Sequence, residues 1–278
     1  MLYLVTTPIG NLEDMTARAI RVLSEVDLIA AEDTRNSRKL LTHFEIHTPM
    51  TSYHQNNRFD KGRELTEMLL AGKNIAVITD AGMPGISDPG EELVRMALEA
   101  GIEVTAVPGA CACVTALTIS GLPTRRFCFE AFLPTEKKER ARVMAELRDE
   151  TRTIVMYEAP HRLAKTLAEL AEELGGERNA RILRELTKKH EDRFIGTLAE
   201  AAAHYEAEPA KGECVIVIEG ADPEASKRAE QAEWSELTVA EHVAMYEANG
   251  MSRKDAMKAV AVDRGLGKRE IYKALLEE

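Results

Sequence analysis

DAGMPGISDPG, from Asp80 to Gly90, is the stretch from which the fold can be read. It follows NIAVIT (Asn74 to Thr79), an apolar run of buried-strand type. It precedes GEELVRMALEAG, a helical pattern with Leu93, Val94, Ala97 and Leu98 on one face. Gly82, Gly85 and Gly90 permit positive φ and close backbone approach, while Pro84 and Pro89 fix φ and remove donors. Asp88 followed by Pro89 is a strong helix start, an N-cap and an N1 residue. A plain strand-to-helix link needs only about 2–6 residues, so this joint is over-built. A rigid loop at the carboxyl end of a parallel strand is where open α/β sheets place ligands; an elaborate structural turn is the alternative.

The same alternation runs outward from this loop. Strand patterns recur at LYLVT (Leu2), DLIAAE (Asp27), PMTSY (Pro49), NIAVIT and IEVTAV (Ile102), separated by amphipathic stretches. In TARAIRVLSEV, for example, Ala19, Ile20, Leu23 and Val26 share a face. Repeated β–α units predict a parallel sheet covered on both sides. The loops leaving its carboxyl edge would be TTPIGNLEDMT, AEDTRNSRKLL, SYHQNNR, the proline-glycine loop and VPGACACVTALTISGLP. The last enters a helix of small residues, which suits a ligand near the backbone or simply close helix–sheet packing.

After Gly121 the chain changes character. FCFEAF, TIVMYEAP, ARILREL and ECVIVIEG read as strands, with helices at EKKERARVMAELRDE, HRLAKTLAELAEEL and TLAEAAAHYEA, and predict a mixed sheet. EKKERAR reads as a solvated helix face or as a basic edge toward phosphates. Beyond Gly220, ADPEASKRAEQAEWSE is polar and linker-like. Three short helical segments follow, with Ser252 and Asp255 as a helix-start signal. The expected organisation is an N-terminal α/β domain (1–120), a second α/β domain (121–220), a linker (221–236) and a helix-turn-helix-like extension (237–278). Arg253, Lys254, Lys258, Arg264, Lys268, Arg269 and Lys273 make that extension either a nucleic-acid contact or a packing appendage.

Composition narrows the function. With 45% hydrophobic and 30% charged residues in 278, the chain is of soluble globular type. No apolar run approaches the roughly 20 residues of a membrane span, and MLYLVTTPIG has no basic leader, so a cytoplasmic protein is expected. A net charge of −11 argues against a general nucleic-acid coat but leaves room for a local basic groove. Cys111, Cys113, Cys128 and Cys214 lack zinc or redox spacing and read as reduced core residues, so no metal is expected. Neither G-x-x-x-x-G-K-[ST] nor an early G-x-G-x-x-G is present. Carbonyl-exposing, apolar loops suit a neutral or cationic ligand better than ATP or NAD; S-adenosylmethionine fits that description, but composition alone does not single it out.

Eight blocks stand in order: TTPIGNLEDMT, AEDTRNSRKLL, YHQNN, DAGMPGISDPG, VPGACACVTAL, YEAPHRL, RELTKKHE and GECVIVIEG. Together they resemble the tetrapyrrole-methylase (class III) superfamily, and within it the ribosomal RNA small subunit methyltransferase I branch. The resemblance covers residues 2–220 and extends to the tail. It implies two α/β domains with S-adenosylmethionine between them, in a homodimer. The implied reaction is 2′-O-ribose methylation of a cytidine in the decoding centre of 16S rRNA, on the small ribosomal subunit. Porphyrin-type members start with G-x-G-P-G-D and carry G-D-P-x-x-Y where this chain has TPIGNLED and GMPGIS, which disfavours the alternative, a tetrapyrrole (precorrin-type) C-methyltransferase. Carried over by motif, the cofactor wall would comprise Ile9, Gly10, Gly82, Met83, Pro84, Gly85, Ile86, Ser87, Gly109, Ala110, Cys111, Ala112, Met156, Tyr157, Leu186 and Gly212. A ribose hydroxyl is a poor acid and needs help in losing its proton. Glu32, Asp33 and Arg35 on one loop and His54 and Asn57 on another are available in the first half. His161, Arg184, Glu185 and Lys188 are available in the second. Asp33 and His54 are expected at the reacting ribose, with Arg35, Asn57, Arg184, Glu185 and Lys188 binding the substrate; the arginines and the lysine suit phosphates.

Overall fold

The computed structural model describes residues 1–88, 90–222, 224, 234 and 237–277. In the first half, β1 (Leu2–Val5), β2 (Leu28–Ala31), β3 (Met50–Ser52), β4 (Ile75–Ile78) and β5 (Val104–Val107) form a parallel sheet in the order β3-β2-β4-β1-β5. Its helices are α1 (Ala17–Glu25), α2 (Thr34–His43), α3 (Arg58–Leu70), α4 (Gly90–Glu99) and α5 (Ala112–Ile119). Alternate strand residues face opposite ways. Val5, Ile29, Ala31, Ala76 and Ile78 pack under α1 and α2, and Leu2, Leu4, Ala30, Ile75 and Val77 under α3 and α4. Burial on both sides explains why these strands are continuously apolar. Chain direction reverses between the neighbours β1 and β4: α1 carries the chain toward β2, and α4 carries it toward β5 on the other side. The loops after β1 and β4 sit at this reversal, the position where open α/β sheets place ligands.

Helix ends follow local chemistry. Thr16 Oγ1 accepts from the Ala19 N–H (3.0 Å) and starts α1, and the Asp33 carboxylate accepts from the Arg35 N–H (2.8 Å) and starts α2. On α4 the buried pair is Leu93 and Ala97, one turn apart, with Val94 half-buried. Leu98, expected on that face, is 60% exposed because it falls past the edge of the sheet contact.

The second half holds β6 (Phe127–Phe132), β7 (Thr153–Glu158), β8 (Asn179–Arg184), β9 (Asp192–Thr197) and β10 (Cys214–Ile218) in the order β6-β7-β10-β8-β9. Only the β6–β7 pair is parallel, so the sheet is mixed. Ile154, Met156, Ile182, Ile216 and Ile218 face a core built by α6 (Lys137–Arg148), α7 (Pro160–Leu174) and α8 (Leu198–Ala207). Val155, Leu183, Val215 and Val217 face the other way, onto Cys113, Ala116 and Leu117 of α5. Thus α5 leaves the first sheet and covers the second, and residues 1–221 form one compact unit. Strand β9 was not among the expected strands. It is an edge strand whose Ile195 is 60% exposed, so its sequence shows no apolar run. In α6, Arg140 is held inward by Glu169 and Thr166, while most of its basic neighbours are exposed.

Residues from 222 onward form a second unit. There α9 (Val239–Ala248), α10 (Arg253–Asp263) and α11 (Lys268–Glu277) pack Val243, Ala256, Val260 and Ile271 together. His242 is fully buried, stacked between Trp234 and Tyr246, and its Nδ1 accepts from Arg264 Nε (3.2 Å). Burial, with the Arg264 charge beside it, pushes the imidazole toward its neutral form. Most of the expected linker, Pro89 of the central loop and the Lys268 side chain lie outside the described residues. Among the described residues no helix is long and apolar enough to cross a membrane.

Candidate functional site

The central loop is anchored from both ends. Thr7 and Gly82 exchange backbone hydrogen bonds (3.0 and 3.1 Å), and Thr7 Oγ1 donates to the Thr79 carbonyl (3.1 Å). Asp88 Oδ1 accepts from the Gly85 and Gly90 N–H groups, each at 2.8 Å, folding the loop onto the start of α4. The fold-back is tight: a Cβ on Gly90 would lie 2.7 Å from Gly85 N. Burial pushes the Asp88 carboxyl up despite those N–H bonds. Thr6 Oγ1 packs on Met83 Sδ and donates to the Val107 carbonyl (2.8 Å), tying the loop to β5 as well.

Between this loop and the second sheet lies a cavity of about 360 Å³. Its apolar side is Ile9, Met83, Ile86, Ala112, Leu186 and Val215, closed by the rings of Phe132 and Tyr157, whose centroids are 5.6 Å apart. Four carboxylate residues, Glu32, Asp88, Glu158 and Glu213, line it, and no lysine or arginine does among the described residues. Glu32 Oε2 accepts from Thr79 Oγ1 (2.5 Å) and the Asp80 N–H (3.2 Å). Glu158 is 2% exposed and is satisfied by Arg162, Thr166 and the Ala159 N–H. Such a wall favours a cation. Among the described residues no cluster of three or more His, Cys, Asp or Glu has metal-binding geometry.

Backbone strain concentrates here. Among the described residues five non-glycine residues have positive φ, and four of them, Ser87, Ala131, Glu185 and Thr187, lie in the cavity wall or next to a wall residue. Glu185 and Thr187 flank Leu186 and turn it inward. Conformations of this kind cost about 1–3 kcal/mol each and persist where the surroundings demand them.

Of the residues expected from motifs, Ile9, Gly82, Met83, Ile86, Ser87, Cys111, Ala112, Tyr157 and Leu186 line the cavity. Gly10 lines an adjoining one. Pro84, Gly85, Gly109, Ala110 and Gly212 sit behind the wall. Gly109 packs on Thr6, and Gly212 leaves room for the Glu185 carboxylate, which a Cβ there would overlap. Met156 points into the α6–α8 core, because strand alternation gives Tyr157 the cavity face and Met156 the opposite one.

The expected polar set is dispersed. Neither Asp33 nor His54 lines the cavity. Asp33 caps α2 and grips its own neighbour Arg35, whose guanidinium and N–H hold the carboxyl down at about 2, too acidic to accept protons readily. The His54 N–H donates to Asn57 Oδ1 (2.8 Å), a turn that starts α3. Arg184 pairs with Asp192 (2.7 Å), and Lys188 bridges Glu185 and Glu213 (both 2.9 Å). Motif matching left Thr79, Phe132, Glu158 and Glu213 unnamed, and named Glu32 as an available loop residue without a role. Glu32 adjoins Asp33, and the two part because Glu32 bonds Thr79 and Asp80 across the sheet while Asp33 caps α2.

Cys111 and Cys113 face each other across 3.4 Å, with Cys111 on the cavity wall as N-cap of α5 and Cys113 beneath it. A hydrogen bond from the Cys113 thiol, aided by the amides at the helix start, pulls the Cys111 thiol below its usual range. Burial pushes Cys128 and Cys214 up to about 11. Iodoacetamide labelling followed by peptide mapping should therefore modify Cys111 first, with a midpoint below pH 8.5. Equal rates at Cys111, Cys128 and Cys214 across pH 6–9 would contradict this.

Residues 1–202 match the family described as Tetrapyrrole (Corrin/Porphyrin) Methylases. The Ribosomal RNA small subunit methyltransferase I of Synechocystis sp. is 49% identical over 277 residues, covering 100% of this chain and 98% of the relative. Its namesake from Halalkalibacterium halodurans is 48% identical, covering 100% and 95%. A crystal structure of uroporphyrin-III C-methyl transferase from Thermus thermophilus, complexed with S-adenosyl homocysteine, shares the fold. It aligns with a TM-score of 0.54 at 21% identity, over 78% of this chain and 96% of that one. With one family spanning both α/β halves and full-length relatives at close to half identity, the chain belongs to the tetrapyrrole methylase family, in its ribosomal RNA small subunit methyltransferase I branch.

Proposed function

We propose that this chain methylates the ribose 2′-hydroxyl of a cytidine in the decoding centre of 16S rRNA, using S-adenosylmethionine and acting in the cytoplasm as a homodimer on the small ribosomal subunit. The relatives' names point to the RNA, and the observation that carries the cofactor is the cavity wall. Among the described residues four carboxylates and no lysine or arginine surround a space with an apolar side, which matches a ligand that is cationic at sulfur and aromatic at its base. When bound, S-adenosylmethionine supplies an electrophilic methyl group. Glu32 provides the negative potential that a sulfonium needs, since Glu158 is paired with Arg162 and Glu213 with Lys188. Ile9, Met83, Ile86 and Leu186 offer the apolar slot for adenine, and the Thr7–Gly82 bridge keeps it open. Phe132 and Tyr157 set two aromatic rings against the cavity. The burial that raises the Tyr157 phenol keeps it neutral, so it adds no competing anion.

The deciding experiment is methyl transfer from labelled S-adenosylmethionine to small ribosomal subunits lacking the modification. The site is then mapped by resistance to alkaline cleavage, which reports a blocked 2′-hydroxyl. One alkali-resistant cytidine is the expected result. Cofactor binding with no label on RNA, or label on a base, would overturn the reading.

A further inference from the structure

Beside the cofactor cavity lies a second one, also about 360 Å³, sharing Ile9, Thr79, Ala81 and Glu213 with it. Its remaining wall comes from the loop after β1, from α2 and from Lys188, and its chemistry is different. Lys39 and Lys188 bring positive charge that the first cavity lacks. Lys188 is neutralised by Glu185 and Glu213, whereas Lys39 is exposed and forms no ion pair among the described residues. Ser37 is among the lining residues, is 4% exposed, and its buried hydroxyl has no hydrogen-bond partner among the described residues. A buried hydroxyl left unmet is unfavourable, so a polar ligand group is the natural partner. Asp80 completes the wall, its Oδ2 accepting from Asn36 Nδ2 at 3.1 Å, which fixes the carboxylate orientation.

We infer that this second cavity is the acceptor-nucleotide subsite: Lys39 takes a backbone phosphate, Ser37 hydrogen-bonds the nucleotide, and Asp80 accepts the proton of the hydroxyl being methylated. The inference rests on the methyl-transfer reading above. In balance, the nucleotide oxygen gains the methyl carbon and loses its proton to Asp80, while the S–C electron pair stays on sulfur and leaves a neutral thioether. The volume falls within the roughly 300–1,000 Å³ of small-molecule sites. The shared wall sets the two ligands side by side, as positioning catalysis requires. Partial burial, together with the carboxylates of Glu32 and Asp33, pushes the Asp80 carboxyl up, toward better proton acceptance. The charged side chains around it are Glu32, Asp33, Arg35 and Lys39 from the first half and Lys188 and Glu213 from the second.

The test uses the full chain, three measurements and two variants, Asp80→Asn and Lys39→Ala. S-adenosylmethionine affinity is read by calorimetry, affinity for a short cytidine-containing single-stranded RNA by anisotropy over a salt series, and methyl transfer on unmodified small subunits. Asp80→Asn is expected to bind cofactor and RNA within threefold of the parent while turnover falls about 100-fold or more. The parent's acidic limb, where rate drops as Asp80 protonates, should flatten in that variant. Lys39→Ala should weaken RNA binding and reduce the slope of log K against log salt by about 1, with cofactor affinity unchanged. Parent-like turnover and pH profile in Asp80→Asn, or parent-like RNA affinity at every salt in Lys39→Ala, would overturn the inference. If the parent itself transfers no methyl to RNA, the methyl-transfer reading has failed instead, and this one falls with it.

Discussion

Gly82→Val is expected to weaken S-adenosylmethionine binding at least 100-fold, about 2.7 kcal/mol, while leaving the fold intact. Gly82 holds φ at +85°, and its N–H and carbonyl both bond to Thr7. A Cβ there would sit 3.3 Å from Ile9 Cγ2 and 3.6 Å from the Ala110 carbonyl, at the apolar end of the cavity. Valine adds two methyls beyond that Cβ, and positive φ costs a β-branched residue about 1–2 kcal/mol besides. Because the loop is pinned to Thr7, to Asp88 and to β5, it cannot swing aside. Gly72→Val is the control: Gly72 has φ +86° but nothing within 4 Å, so it bears the strain without obstructing the cavity. Calorimetry should show near-parental affinity for the control. Affinity within threefold of the parent in Gly82→Val would sink the assignment of this cavity to the cofactor.

Arg162→Ala is expected to destabilise residues 1–221 by about 2–4 kcal/mol. Glu158 is 2% exposed, and Arg162 meets it through Nε (2.8 Å) and a second nitrogen (2.6 Å). Removing one member of a buried pair strands the other charge, at about 3–5 kcal/mol. The figure is reduced here because the Arg162 side chain is 26% exposed and the carboxylate keeps the Ala159 N–H and Thr166 hydroxyl. Urea unfolding followed by circular dichroism gives the change directly. The double variant Glu158→Gln, Arg162→Ala should recover part of the loss, because the uncompensated charge is gone. A single variant within 0.5 kcal/mol of the parent would show that Glu158 is solvated or protonated, contrary to the geometry.

Much of the architecture is legible before any coordinates. Strands β1, β2 and β4 announce themselves as apolar runs because both faces are buried, and the three tail helices are bounded by Thr238, Ser252 and Gly267. Strand β9 escapes notice because an edge strand need not be apolar. The site is legible to a different depth. Glycine and proline punctuation marks the central loop, and loop chemistry marks its neighbours. Which side chains those loops turn inward is another matter. Glu32 lines the cavity while Asp33 caps a helix, and Tyr157 lines it while Met156 fills a core.

By itself, then, the sequence determined the βα order, the mixed second sheet, the helical tail and the position of the glycine-proline loop. Each of these depends on periodicity and turn chemistry within a few residues, which a linear pattern records. Only the tertiary structure decided that α5 crosses from one sheet to cover the other, that Gly10 packs against Lys188, and that Thr7 pairs with Gly82. Those contacts join residues tens to well over a hundred positions apart and form the walls of both cavities. Close packing of distant surfaces selects which side chain faces a cavity, and no local spacing encodes that choice.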